Sequence, residues 1–355
     1  MAVNSHAAAV LEGLREEFPI PALSAAVVKN GDLVWSDAQG MADLEKGVAA
    51  GPQHIFRLGS VSKVVTAAIG ARLMDQGVID LDAPIFTYRP DLPQAHRATT
   101  LRQLYDHQGG VRHYTANDLS PLSPTGSIDA KIFLSTDQAL GIFIHDDLIA
   151  EPGTKVSYST FGYTLISAVL ESASATSFTD LIAREVSGPL GLETLGPEDP
   201  FNIVPDRVGF YDPPGMYLQL VPQLQLPDIP AINALPTTPT YKYAGGGMHA
   251  TAADVARFGA AQMAGDFVSE AARAALFTPR TEASGGTPAL GLGWRIDRHD
   301  MLGRRYHHAG NMQGCRAQVA LYPEHGLSVA LMSNMGATPG PILNYADRIA
   351  ATFIA

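Results

Sequence analysis

Ser60-Val61-Ser62-Lys63 sets a hydroxyl and an amine three residues apart at the start of an apolar stretch. Three residues make nearly one helical turn, so on a helix both groups share a face. Ser60 would then sit at the positive end of the helix dipole, where a developing oxyanion is favoured. A lysine in apolar surroundings loses basicity and can accept the serine proton, which is how a serine becomes a nucleophile. The plainer account is an N-cap serine followed by a snorkelling lysine.

Two further segments carry candidate groups. Tyr158-Ser159-Thr160 follows Glu151-Pro152-Gly153 at a loop-to-helix junction. A tyrosine there relays protons if nearby cations depress its pKa; otherwise Ser159 or Thr160 simply caps a helix. His307-His308-Ala309-Gly310-Asn311 precedes a strand pair, and its small residue and glycine would let a substrate backbone approach a strand edge. Adjacent histidines on a strand point to opposite faces and no carboxylate lies at ligand spacing, so no metal site is expected. His107 and His113, with Gly109 and Gly110 between them, read as a loop pair. A Gly-x-Ser-x-Gly elbow, a His-Glu-x-x-His helix and a Walker-type phosphate loop are all missing from the sequence.

The elements that must position these groups follow from hydrophobic periodicity. Val61, Val64, Val65, Ala68, Ile69 and Leu73 keep helical spacing from Ser60 to Gln76, and Gly77 supplies a stop. That helix is apolar around most of its girth, which predicts a central, buried position. Shorter helices are expected at Leu101–His107, Phe161–Ser172 and Phe178–Glu185, and another behind the capping box Thr251-Ala-Ala-Asp254. Asn30-Gly31 between two apolar runs predicts a hairpin. Strands are expected at Ala317–Tyr322 and Leu327–Met332 about a Pro323–Gly326 turn, with a final helix over Ile342–Phe353. Ten of the 25 prolines fall between Pro197 and Pro239, so loops such as Met216–Tyr241 read as extended pocket walls. Strands at both ends and helices between them suggest an α/β body interrupted by a helical insertion.

Composition narrows the partners. The 355 residues carry 35 acids against 24 bases, a net charge of −11, which argues against a nucleic-acid partner. The one cysteine, Cys315, excludes an intramolecular disulfide and reads as a strand thiol near the pocket. Met1 to Phe18 reads as a surface amphipathic helix, without the basic start and apolar core of a signal peptide. No stretch approaches the ~18 apolar residues of a membrane span. The expectation is a cytoplasmic protein, or a periplasmic one if a leader has been removed. The oligomeric state is left open.

Taken in order, Ser60-x-x-Lys63, Tyr158-Ser-Thr160 and His308-Ala-Gly310 resemble the three motifs of the serine β-lactamase and DD-peptidase superfamily, most closely its class C-like branch. Ile55-Phe-Arg-Leu-Gly-Ser60, Asp80-Leu-Asp-Ala-Pro84, Ala244-Gly-Gly-Gly-Met248 and Gly291-Leu-Gly-Trp294 agree with that resemblance, which runs from about Pro21 to Asn334. It implies an α+β fold, an antiparallel sheet flanked by helices plus a mainly helical region. One catalytic domain would span 1–355, its body from 1–59 and 240–355 and its helical region from 60–239. It implies Ser60 as acylated nucleophile and Lys63 and Tyr158 sharing the acid–base work. His308 would stand where β-lactamases have lysine, and the backbone N–H groups of Ser60 and Asn311 would form the oxyanion hole. No metal or organic cofactor is implied.

Thr160 replaces the asparagine usual in class C, and the His-x-Gly motif is closer to certain DD-carboxypeptidases and D-aminopeptidases than to efficient β-lactamases. Histidine donates a hydrogen bond but is only partly charged near neutral pH. The Tyr-Ser-Thr-Phe-Gly-Tyr segment also resembles LACTB-like serine hydrolases. The reading is a serine hydrolase acting through an acyl-enzyme on a small amide, a D-amino-acid-type peptide or an ester. A carboxylesterase, a weak β-lactamase and a non-catalytic sensor or scaffold on the same fold are the alternatives.

Overall fold

The Asn30-Gly31 turn starts the sheet. Its residues sit at φ 52° and 92°, the positive values a two-residue hairpin requires, and they join β1 (Ala22–Lys29) to β2 (Asp32–Asp43). The structure is a computed structural model describing residues 2–354 apart from 121, 219–222, 224, 227 and 281–288. Part of the Met216–Tyr241 loop therefore lies outside the described residues.

The main sheet has seven strands, all antiparallel. After β2 come β3 (Val48–Ala49), β4 (Arg295–His299), β5 (Gly303–Met312), β6 (Cys315–Tyr322) and β7 (Leu327–Ser333). Their spatial order is β3-β2-β1-β7-β6-β5-β4, so the N-terminal hairpin inserts beside the last strand of the chain. The two central strands, β1 and β7, are buried nearly throughout, as apolar runs without alternation require in a sheet covered on both faces.

The layers on each face explain that pattern. Helix α1 (Ala2–Glu17) turns Ala7, Leu11 and Leu14 inward and packs with the C-terminal helix, Ile342–Thr352, on one face. On the other lies the helix Ala252–Met263, N-capped by Thr251, whose hydroxyl accepts the Asp254 N–H at 3.2 Å. Here the expected antiparallel sheet flanked by helices is found.

The helix bearing Lys63, α2, runs over Ser62–Asp75 with most of its residues fully buried. It starts two residues later than its periodicity suggests. Gly59, at φ 49°, turns the chain into a 3-10 turn over Gly59–Val61, and the Ser62 hydroxyl donates back to the Gly59 carbonyl at 2.8 Å. Ser60 therefore precedes the α-helix and caps nothing. A second buried helix, α3 (Thr160–Ser174), begins at an N-cap formed by Ser159, which accepts the Gly162 N–H at 2.9 Å. The helix expected over Leu101–His107 stops at Tyr105, because His107 takes a positive φ of 62°. The one expected over Phe178–Glu185 is α-helical to Ile182, then widens into a π-turn over Ala183–Ser187.

Candidate active site

The turn carrying Ser60 is wedged against β5. A Cβ on Gly310 would lie 1.9 Å from the Leu58 carbonyl and 3.2 Å from the Ser60 nitrogen. One on Gly59 would lie 2.8 Å from the Asn311 nitrogen. Only glycine fits at both places, and their absent side chains let the Ser60 and Asn311 amides come together.

The ladder register sets where the second amide points. Met312 pairs with Cys315 across a two-residue turn, which makes that pair hydrogen-bonded and Asn311↔Arg316 the next, non-bonded pair. The Asn311 N–H therefore faces away from β6. Strand β4 pairs with β5 only from Gly303 to His307, so it does not cover that edge. Ser60 is half-buried and Asn311 exposed, so both residues lie at the surface of this wedge.

Lys63 is fully buried, with its Nζ 3.1 Å from Ser60 Oγ, 3.2 Å from Thr160 Oγ1 and 2.5 Å from the Gly245 carbonyl. All three partners are neutral. Burial, reinforced by the charges of Lys242 and Arg295, holds the Lys63 amine well below the usual lysine range. Its Nζ also stands 4.8 Å from the centre of the Tyr158 ring. Tyr158 is hydrogen-bonded to Ser60, and burial pushes its phenol up to about 12. No neighbouring cation makes it a phenolate at neutral pH.

His107 and His113, which the sequence offers as a loop pair, clamp the tyrosine segment. His107 Nδ1 accepts the Ser159 N–H at 3.2 Å, and His113 Nδ1 accepts the Thr160 N–H at 3.1 Å. Their rings lie 4.4 and 5.6 Å from that of Tyr158, centre to centre. Both rings must accept through Nδ1, and burial favours the neutral form, most plainly for His113, which is lowered to about 4. No sequence spacing pointed to this role; its signal was the pair of glycines that lets the loop fold back.

His308 is buried beside the same group, its ring 6.4 Å from that of Tyr158. Its Nδ1 lies 2.8 Å from the Ala309 carbonyl, which can only accept, so Nδ1 carries the proton. Burial above all holds the ring well below the usual histidine range, which leaves it neutral near pH 7. Partial charge was expected here, and the structure instead leaves Nε2 as a lone-pair acceptor. Thr160, read from sequence as a lost amide, holds the Lys63 amine. Cys315 is a buried strand thiol donating to the Arg57 carbonyl at 3.0 Å, its pKa pushed up to about 12 by burial. Among the described residues no three His, Cys, Asp or Glu side chains are placed to hold a metal ion, and no helix is long and apolar enough to cross a membrane.

The Beta-lactamase family model matches residues 7–352, nearly the whole chain. The chain belongs to the Beta-lactamase family. Within it, the human "Serine beta-lactamase-like protein LACTB, mitochondrial" is 26% identical over 317 residues, covering 72% of this chain and 56% of the human protein. The "D-aminopeptidase" of Gluconobacter oxydans (strain 621H) is 26% identical over 189 residues, covering 52% of this chain and 34% of the aminopeptidase. This Beta-lactamase family chain thus spans little more than half the length of its human relative. Among solved structures, the D-amino acid amidase from Ochrobactrum anthropi SV3 superposes with a TM-score of 0.83 at 19% identity, over 99% of this chain and 98% of the amidase. That likeness is one of fold.

Proposed function

We propose that the chain is a serine hydrolase that cleaves small amides, D-amino-acid-type peptides or esters through an acyl-enzyme on Ser60. The observation that carries this reading is a buried Lys63, its Nζ 3.1 Å from a solvent-reachable Ser60 hydroxyl and its basicity lowered by that burial.

Lys63, rather than Tyr158, is the base. A lysine amine without its proton takes the hydrogen from Ser60 Oγ as Oγ attacks the substrate carbonyl carbon. The oxyanion that forms accepts from the Ser60 and Asn311 N–H groups, an arrangement worth several kcal/mol in comparable sites. As the tetrahedral intermediate collapses, the Tyr158 hydroxyl gives its proton to the departing nitrogen or oxygen and recovers one from the Lys63 ammonium. Water then attacks the ester on Ser60, its proton passing to Lys63, and Ser60 Oγ leaves with that proton restored.

A neutral His308 favours substrates that do not present a carboxylate to β5, and its Nε2 lone pair suits a donor such as a substrate ammonium or amide N–H. The D-aminopeptidase and D-amino acid amidase names borne by a relative and a structural neighbour support the same substrate class. Efficient β-lactam hydrolysis is disfavoured on that ground, and an esterase is the second reading. Fluorophosphonate labelling of Ser60 tests the nucleophile; an unlabelled, folded protein would overturn it. Assaying D- and L-amino-acid p-nitroanilides, p-nitrophenyl esters and nitrocefin side by side tests the substrate class, with D-anilides or esters expected to exceed nitrocefin.

A further inference from the structure

A second buried lysine lies behind the first. Lys242 is almost fully buried, with its Nζ 3.0 Å from Asp129 Oδ1. That same oxygen accepts from Tyr241 Oη at 2.9 Å and Thr237 Oγ1 at 3.2 Å, while Asp129 Oδ2 accepts from Gln313 Nε2 at 3.0 Å. The carboxylate is thus fully engaged, and the pair is built rather than incidental.

Both ends of this cluster reach the site. The Lys242 carbonyl accepts the N–H groups of Gly245 at 3.0 Å and Gly246 at 2.8 Å, forming the turn whose Gly245 carbonyl receives Lys63 Nζ. Gln313 occupies the tight turn directly after the strand that carries Asn311. Its carbonyl is held from the far side by Arg57 Nη1 at 2.9 Å, and Arg57 Nε is paired with Glu198 at 2.7 Å. One hydrogen-bonded path therefore links the acceptor of the base to the hairpin of the oxyanion strand.

We propose that Lys242 is a positioning residue of the acylation machinery, acting on Lys63 through its fixed charge and through the turn it begins. The inference rests on the reading of Lys63 as the base. Two ammonium groups in one low-dielectric site repel, and the one with a carboxylate partner keeps its proton. Lys242 has Asp129, so its charge is secured, with Tyr241 and Tyr114 also beside it. Lys63 has only neutral partners. The charged and titratable groups around Lys63 are Lys242 from its turn, Arg295 from β4, His308 from β5, His107 and His113 from the loop after Tyr105, and Tyr158 and Tyr163 from the α3 side. No carboxylate is among Lys63's hydrogen-bond partners or ion pairs among the described residues, so its charge is opposed by burial, Lys242 and Arg295 with no counter-ion against them.

The chain has six lysines, few enough for each side chain to be followed by NMR after 13Cε-lysine labelling. The Lys63 signal is the one lost in Lys63→Met. In Lys242→Met/Asp129→Asn, which removes both buried charges together, the Lys63 midpoint is expected to rise by about one pH unit. In Lys242→Arg, which keeps the charge, it should stay in place. The acid limb of Ser60 labelling by a fluorophosphonate should move with the midpoint, whereas a purely structural role would lower the rate equally at every pH. An unchanged Lys63 midpoint in the folded double variant overturns the proposal. If that variant does not fold, the wild-type spectrum decides: Lys242 must remain charged throughout the Lys63 titration, and its deprotonation first overturns the proposal. Absence of wild-type labelling would count against Ser60 as nucleophile and leave these NMR midpoints readable.

Discussion

Lys63 Nζ lies 3.1 Å from Ser60 Oγ, and the lysine has no carboxylate partner among the described residues. In the proposed mechanism this buried amine is the base. Ser60→Ala is expected to abolish fluorophosphonate labelling and Lys63→Met to slow it about 1,000-fold or more. Because Lys63 must be uncharged to act, the wild-type rate should rise with pH and level off well below the usual lysine pKa of 10.5. A rate still climbing at pH 10 would sink this assignment.

Tyr158 keeps its proton at neutral pH, and the proposed mechanism gives it the task of donating to the leaving group. Tyr158→Phe should slow hydrolysis of anilides about 100-fold, and p-nitrophenyl esters less, because nitrophenolate leaves without protonation. The acid limb should not move. Equal losses on both substrates, or a shifted limb, would assign the tyrosine a different part.

Gly310 and Gly59 are sites where one carbon decides the geometry. A Cβ at Gly310 would overlap the Leu58 carbonyl at 1.9 Å, and one at Gly59 meets the Asn311 nitrogen at 2.8 Å with an unfavourable φ. Gly310→Ala should part the Ser60 and Asn311 amides proposed to hold the oxyanion and lower kcat about 100-fold or more with the circular dichroism retained. Near-normal kcat in Gly310→Ala would show that these amides do not act as a pair.

Acid stability should be governed by histidines. His96, His107, His113, His249, His307 and His308 all have folded pKa values lowered from 6.5 chiefly by burial, to about 4 for His113, His249 and His307. The unfolded chain then binds protons first as the pH falls, so stability is lost from about 6.5 downward. Asp106, raised by burial to about 7, acts in the opposite sense over the range above its unfolded value of 3.8. Melting curves between pH 8 and 4 should show Tm falling from near pH 6.5; a Tm flat to pH 5 would contradict this.

Lys63 should cost stability in exchange for function. Its folded pKa lies below the unfolded 10.5, so the unfolded chain holds the extra proton and stability rises with pH through that interval. Lys63→Met is therefore expected to melt about 2 °C higher than wild type at pH 7. The gap should narrow as the pH approaches 10. A variant that melts lower at neutral pH would show that the hydrogen bonds to Thr160 and Gly245 outweigh the buried amine.

The sequence by itself determined the parts whose geometry is local. Ser60 and Lys63 meet because three residues of turn bring them together, and this survives the replacement of the expected α-helical start by a 3-10 turn. Ser159 at the start of α3, Asn30-Gly31 in the hairpin and the inward Leu11 and Leu14 were legible for the same reason: caps, turns and periodicity act within a few residues. Tertiary structure alone decided what the local groups are chemically. Thr160 and Gly245 reach Lys63 across 97 and 182 residues, and no spacing rule covers such distances. His107 and His113 became clamps, and His308 a neutral acceptor, because burial and the nearest carbonyl or N–H fix protonation. Lys242 gained its place through Asp129, 113 residues away. Charge state in a packed interior depends on which polar groups come within hydrogen-bonding distance, and that is set by the whole fold.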